Sequence, residues 1–403
     1  MNSAAIRRLA VPSPDELIGR VRAMVPEIRA LAEETERNRN LFPHIVDKIR
    51  DAELLRTCRP AMFGGFEYDG EVALTIALTI SAACASTGWT VNGAVSNGLS
   101  LAHWSIEAQR EVWEGDTDPF TFACFAPTGT AAPAEGGYRL TGRWSFASGC
   151  DISSWGKLGA MIKTPGAEPP FEGAFFLLPV EDCEIVDNWF VCGLAGTGSK
   201  DIVVEDMFVP AHRVLTFAET RAGNSPGARH HDNPIYRIPL LMLGASMLAS
   251  TAIGAAKGAL DAYLEMTTGR TTRGALAGGG FRMIEFATVQ LRLAEASAAV
   301  EAAELILLTD MRNAMQKLVR GEEITIADRI RARRNQAYAT RLAMQAVEAL
   351  NASTGGYGLH LDNPVQRAWR DANAVARHVS LNWDAVGTMY GQHAFGLEPR
   401  GQY

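Results

Sequence analysis

The 403-residue sequence contains no Cys-x-x-Cys pair, no Gly-Lys-Ser/Thr phosphate loop and no Gly-x-Gly-x-x-Gly turn after a strand-like run. The first absence removes the usual zinc and redox frameworks, and the others remove P-loop chemistry and a dinucleotide-binding βαβ unit. The Gly-x-Ser-x-Gly pattern of a hydrolase nucleophile elbow is likewise read as absent, which leaves a hydrolase without an anchor. Basic residues are outnumbered, 38 Lys and Arg against 45 Asp and Glu, and the net charge of −7 speaks against a nucleic-acid surface. No apolar run reaches the roughly eighteen residues of a membrane helix. The start, "MNSAAIRRLAVPSPDELIGR", lacks the apolar core of a signal peptide. Six cysteines (Cys58, Cys84, Cys124, Cys150, Cys183, Cys192) are scattered, as reduced core residues of a cytoplasmic protein are. His230 and His231 in "HHDN" have no ligand-type partner three or four residues on, so the segment reads as a surface loop and no metal is expected. "GALAGGGFR" (274–282) reads as a loop between helices.

What is present falls into three zones. Residues 1–120 carry helical periodicity, beginning with Ser13 as N-cap, Pro14 in the first helical position and Glu16 closing a capping box. Residues 121–225 change to short β-branched and aromatic runs, "YRLTGRWSFASG", "GAFFLLPV" and "DIVVEDMFVP", separated by turn residues. Residues 226–403 return to helices that are Ala-, Leu- and Met-rich all round, which predicts burial in a bundle or between subunits. Two segments of the middle zone suggest a ligand. "GRWSFASGCD" (142–151) sets aromatics beside Ser148, and "GLAGTGSKDIVVEDMFVP" (193–210) offers Thr197 and Ser199 at a small-residue turn. Near the C-terminus His393 stands between Gly391 and Gly396.

Taken in this order between two helical zones, these segments resemble the acyl-CoA dehydrogenase fold: an N-terminal helical domain, a middle β domain and a C-terminal four-helix bundle, an α+β multidomain architecture. The resemblance spans nearly the whole chain. It implies that Phe146 backs a flavin ring, that Ser148 bonds flavin N5 and that the turn with Thr197 lies beside the cofactor. Arg270, ending "ALDAYLEMTTGR", is implied to contact a neighbouring subunit's flavin, and Gly355 and Gly356 in "STGGYGLHLDNPVQRAWRD" to form a turn near it. Thioester dehydrogenation needs a carboxylate base. Its usual position holds Ser380, with His378 nearby, and the alternative helix, "RIPLLMLGASMLAS", has no Glu or Asp.

The C-terminal region is instead similar to the two-component flavin-dependent monooxygenases of this fold, including those acting on hydroxyphenylacetate, indole and steroid phenols. That resemblance implies reduced FMN, with FAD as the alternative, supplied by a separate NAD(P)H-flavin reductase, and molecular oxygen as co-substrate. A C4a-hydroperoxyflavin would then hydroxylate a small aromatic molecule, with His393 and Ser148 governing the oxygen adduct. Asn97, Phe125, Phe395 and His378 are the expected substrate contacts, and Trp144 an additional apolar wall. Asn97 stands where the hydroxyphenylacetate enzyme has a His, with His103 two turns on, and Phe395 replaces a Tyr. Both changes argue against hydroxyphenylacetate itself; the ring is expected to be phenolic, indolic or polycyclic, and Phe395 suits a more apolar or differently substituted one. A homotetramer in the cytoplasm is implied. An FAD-dependent acyl-CoA dehydrogenase with a displaced base, an N- or S-oxygenase and a flavin-free scaffold are the competing readings.

Overall fold

The computed structural model describes residues 11–116, 118–163, 166, 171–221, 225–272 and 280–403. Most of the 274–282 loop and the first ten residues therefore lie outside the described residues. Six helices come first: α1 (Pro14–Ala30), α2 (Ala32–Asn38), α3 (Pro43–Asp51), α4 (Gly70–Ala83), α5 (Ala85–Leu101) and α6 (Ile106–Trp113). The α1 capping box forms as expected, with Ser13 accepting from the Glu16 N–H and the Glu16 carboxylate accepting from the Ser13 N–H. Leu17, Val21, Met24 and Ile28 then face the core at helical spacing.

Seven strands follow: β1 (Thr121–Ala134), β2 (Gly137–Ala147), β3 (Trp155–Ile162), β4 (Glu172–Pro179), β5 (Glu184–Val186), β6 (Lys200–Pro210) and β7 (Val214–Thr216). They make one sheet in the order β5-β6-β2-β1-β3-β4-β7, in which, among the described residues, only the β1–β3 pair is parallel. Two irregularities matter. The β1–β3 register shifts between Cys124 and Gly129, which turns Phe125 out of the sheet core. The β2–β6 register shifts between Trp144 and Ala147, where Phe146 takes a φ of 69° and becomes 68% exposed. Trp144 does not form the ligand wall expected of it. It is only 1% exposed, its indole N–H donates to the Gly159 carbonyl at 2.6 Å, and its ring lies on Gly129 and Gly142.

After α7 (Phe217–Arg221), long helices return: α8 (Leu240–Thr268), α9 (Ala287–Val319), α10 (Ile326–Ala352), α11 (Pro364–Ala376) and α12 (Trp383–Ala394). The expected α+β order of helices, sheet and helical bundle is the one observed. α8 is long and apolar enough to meet the length and composition of a membrane span, which corrects the expectation that no segment would. Its apolar residues are used inside the protein, packing against α4, α5, α10 and α11. His393 likewise lies in the last turn of a helix rather than in a glycine-punctuated tail, and α12 packs on α10 through Val386 and Met389.

Small residues let α4 and α8 touch. A Cβ on Gly258 would sit 2.2 Å from the Ala82 carbonyl oxygen, and one on Gly254 would sit 2.4 Å from Ser81 Cβ. Backbone cannot yield as a flexible side chain does. Gly258→Ala is therefore expected to lower unfolding free energy by about 1–3 kcal/mol, outweighing a helix-propensity gain of roughly 1 kcal/mol. Denaturant unfolding measures it, and an unchanged or raised midpoint would contradict this packing.

Candidate active site

Three segments converge at the end of β2. The Gly149 N–H donates to the Thr197 carbonyl at 2.9 Å, which joins the turn after β2 to the turn before β6. The second turn is shaped by left-handed backbone at Leu194 (φ 55°) and Gly198 (φ 55°). Ser148, Ser199 and Thr197 then form a chain of hydroxyls, with Oγ–Oγ 2.7 Å between Ser148 and Ser199 and 2.6 Å between Ser199 and Thr197. Thr197 Oγ1 ends the chain by donating to the Leu194 carbonyl at 2.8 Å. At the other end the Trp89 indole N–H, from α5, donates to Ser148 Oγ at 2.9 Å. Ser148 is half-buried, whereas Thr197 is only 1% exposed.

The 193–194 turn is clamped from α11. Asp371 Oδ1 accepts the Leu194 N–H at 2.7 Å, and Arg370 reaches the Cys192 carbonyl and Glu36. Gly193 is required there, since a Cβ would lie 2.5 Å from the Arg370 carbonyl oxygen. Burial pushes the Asp371 carboxyl up to about 6, against the opposing effect of the Leu194 N–H. The Arg-Asp pair thus supports the hydroxyl chain through the backbone.

His378 follows α11, with its ring edge-on to Trp89 at 5.9 Å. Its Nδ1 accepts the Ser380 N–H at 3.2 Å, which leaves the proton of the neutral ring on Nε2. Burial, with Arg333 nearby, pushes its pKa down to about 4, so the imidazole is neutral at pH 7. Phe146 meets Trp189 edge-on at 6.0 Å. An open cleft lined by Glu36, Arg37, Arg39, Phe190, Val191, Cys192 and Ala195 adjoins that turn.

α5 links these groups to Asn97. Trp89, Gly93 and Asn97 lie at i, i+4 and i+8, one stripe of the helix. The Asn97 amide donates to the Thr121 carbonyl at 2.8 Å, and a Cβ placed on Gly93 meets nothing within 4 Å. Behind Asn97, the buried Lys157 ammonium contacts the Asn97 carbonyl at 3.3 Å and Ser100 Oγ, with the Trp104 ring 5.7 Å away. Burial alone holds its pKa well below the usual lysine range. Phe125 extends this aromatic group, edge-on to Phe175 at 5.4 Å.

Arg270 and the glycine turn do meet: Arg270 donates to the Thr354 carbonyl at 2.7 Å, and a Cβ on Gly355 would contact its guanidinium, with Gly356 next in the turn. His393 lies in the last turn of α12, with Phe395 as its C-cap. No hydrogen bond or ring contact among the described residues joins them to Ser148, Trp89 or His378, and Phe395 is 86% exposed. His103 is held by Ser225, Nδ1 to Oγ 2.7 Å, in a buried pair. Ser225 stands in Gly-x-Ser-x-Gly spacing (223–227), a match the sequence reading passed over, but it is fully buried and followed by Pro226. "HHDN" is not wholly a surface loop, because His231 Nε2 donates to Gln109 Oε1 at 2.9 Å. The Arg370-Asp371 segment that the resemblance implies near the cofactor does reach the site, through Leu194; sequence reasoning missed Trp89 and Leu194, and only the α5 stripe offered a signal for Trp89.

Residues 246–383 match the family model described as acyl-CoA dehydrogenase, C-terminal domain. The chain is 47% identical over 394 residues to the FADH2-dependent resorcinol hydroxylase, oxygenase component, of Rhizobium sp. (strain MTP-10005), covering 96% of each. The crystal structure of 3-HSA hydroxylase from Rhodococcus sp. RHA1 superimposes with a TM-score of 0.89 at 34% identity, over 95% of this chain and 97% of that one. XiaF from Streptomyces sp., crystallised with FADH2 and glycerol, gives a TM-score of 0.88 at 28% identity, over 96% and 97% of the two chains.

Asp371 makes stability depend on pH. Its folded carboxyl titrates near 6 against an ordinary 3.8, so protonation favours the folded state. That contribution is complete below about pH 4 and is lost as pH rises through about 6. Asp371→Asn keeps an oxygen for the Leu194 N–H, so its stability between pH 4 and 7 is expected to vary less than wild type by about 2–3 kcal/mol. Denaturant midpoints across that range test this; equal slopes in the two proteins would contradict it.

Proposed function

Because the chain belongs to the acyl-CoA dehydrogenase-fold family of flavin-dependent monooxygenase oxygenase components, we propose that it hydroxylates a small phenolic ring with dioxygen and reduced flavin supplied by a separate NAD(P)H reductase. The observation that carries this reading is Ser148, a half-buried hydroxyl held between Trp89 and Ser199 beside the outward-turned Phe146 ring. FADH2 is favoured over the FMN expected from sequence, since the 47%-identical Rhizobium protein is named FADH2-dependent and XiaF was crystallised with FADH2. A monocyclic phenol of the resorcinol type is favoured over an indolic or polycyclic ring. The same Rhizobium relative supports it, and Phe395, the reason for expecting a larger ring, is 86% exposed.

The residues present fit a flavin ring: an aromatic platform at Phe146, an oxygen at Ser148 for the N5 edge, and open space over Gly93 between Trp89 and Asn97. When bound, reduced flavin supplies the electrons that activate dioxygen. Ser148 holds the N5 edge, and the partly buried Trp89 side of the site limits water, which protects activated oxygen from release as peroxide. Neutral His378 and Asn97 flank the space over α5 and orient the phenol, with Phe125 on its apolar side. His393 is assigned proton delivery to the reacting oxygen. That role requires assembly or ligand binding to bring α12 to Ser148. The exposed Val379, Phe395, Leu397, Leu359 and Leu361 offer apolar surface for a homotetramer in which Arg270 serves a neighbouring flavin. All six cysteines are free, which suits the cytoplasm.

Loaded anaerobically with FADH2 and mixed with ¹⁸O2 and resorcinol, the protein is expected to insert one labelled oxygen atom per product. Ser148→Ala should bind flavin yet divert flux to hydrogen peroxide, lowering the product-to-peroxide ratio about ten-fold, as loss of one hydrogen bond would. Unlabelled product, or wild-type coupling in the variant, would contradict the assignment. Gly93→Leu, which fills the open space, should weaken flavin or phenol binding at least about ten-fold while the helix gains propensity. Wild-type affinities for both ligands would place the site elsewhere.

A further inference from the structure

The hydroxyl chain has three close oxygen–oxygen contacts and three hydroxyl protons. These are Thr197 Oγ1 to the Leu194 carbonyl at 2.8 Å, Thr197 Oγ1 to Ser199 Oγ at 2.6 Å and Ser199 Oγ to Ser148 Oγ at 2.7 Å. Oxygens this close need a proton between them. A carbonyl has none to give, so the Thr197 proton points at Leu194. Ser199 must then donate to Thr197, and Ser148 must donate to Ser199. Trp89 Nε1 is a donor only, so it takes one Ser148 lone pair. Ser148 is left with no proton and one free lone pair.

We propose that Thr197, Ser199 and Trp89 are positioning residues that hold Ser148 as a pure hydrogen-bond acceptor, so that the site prefers reduced to oxidised flavin. This rests on the assignment of Ser148 to the flavin N5 edge. Reduced flavin carries a hydrogen on N5 and donates it to the waiting lone pair. Oxidised flavin has a bare N5 lone pair, which would face the Ser148 lone pair and repel it. The polarity is set at the far end of the chain, on a peptide that cannot turn. The Leu194 N–H is held by Asp371 at 2.7 Å, and its carbonyl also accepts the Trp189 indole N–H at 3.1 Å. Thr197 touches no ligand in this account, since it is buried. It acts through two serines.

The test is the ratio of dissociation constants for FAD and FADH2, measured anaerobically on the full-length protein by fluorescence or calorimetry, in wild type, Thr197→Val and Thr197→Ser. Wild type is expected to bind FADH2 more tightly than FAD. Thr197→Val removes the terminal proton, lets Ser199 donate to Ser148 and frees the Ser148 proton to point outward. The preference should then fall about ten-fold, the effect of one hydrogen bond changing sense. Thr197→Ser keeps the proton and should restore the wild-type ratio, which a purely structural loss would not. Equal affinities in wild type, or an unchanged ratio in Thr197→Val that still binds flavin, would overturn the inference and leave the proposed function standing. Failure of wild type to bind either form would overturn both.

Discussion

The peptide of Leu194 is held from both sides, and the candidate site depends on it. Its N–H donates to a carboxyl buried on α11, and its carbonyl gathers the Thr197 hydroxyl and the Trp189 indole. The left-handed backbone at this non-glycine residue costs about 1–2 kcal/mol. Two buried hydrogen bonds, from the Leu194 N–H to Asp371 and from the Thr197 hydroxyl to the Leu194 carbonyl, offset that cost. A hydroxyl chain hung on a loose turn would reorient freely. Hung on this peptide, it has one direction.

The same logic of local irregularity supported by rigid surroundings recurs across the site. Phe146 and Phe125 both face outward because β-bulges interrupt the sheet register, while Trp144 between them locks the sheet core against Gly129 and Gly142. α5 packs against β1, the middle strand of the sheet, and carries Trp89 and Asn97 eight residues apart, about 12 Å along the helix axis. Trp89 is bonded to Ser148 and Asn97 to β1. Behind it, Lys157 lies at the C-terminal end of α5 with no carboxylate among its described contacts, where helix carbonyls favour a donor.

Much of this was legible in the sequence where the signal is local. The capping box, the change from helical to strand periodicity and back, and the serine after the aromatic strand were readable because neighbouring residues determine them. Trp144, Trp89 and the bond from Asp371 to Leu194 were not. Strand alternation cannot reveal a bulge, so Trp144 was read as facing the ligand when the register shift turns Phe146 out instead. Trp89 and Asp371 reach the site from 59 and 177 residues away along the chain, and their roles rest on tertiary contacts alone. α8 reads by composition like a membrane span because a central bundle helix is apolar on every side. His393 remains linked to the site by resemblance, since its helix packs on α10 within one chain.

A crystal structure of the protein soaked anaerobically with FADH2 would test the account most directly. The account predicts Ser148 Oγ within about 3 Å of flavin N5, with the Trp89 and Ser199 contacts kept and the ring plane against Phe146. A flavin bound away from Ser148, or a Ser148 side chain rotated off Ser199 to meet it, would contradict the account.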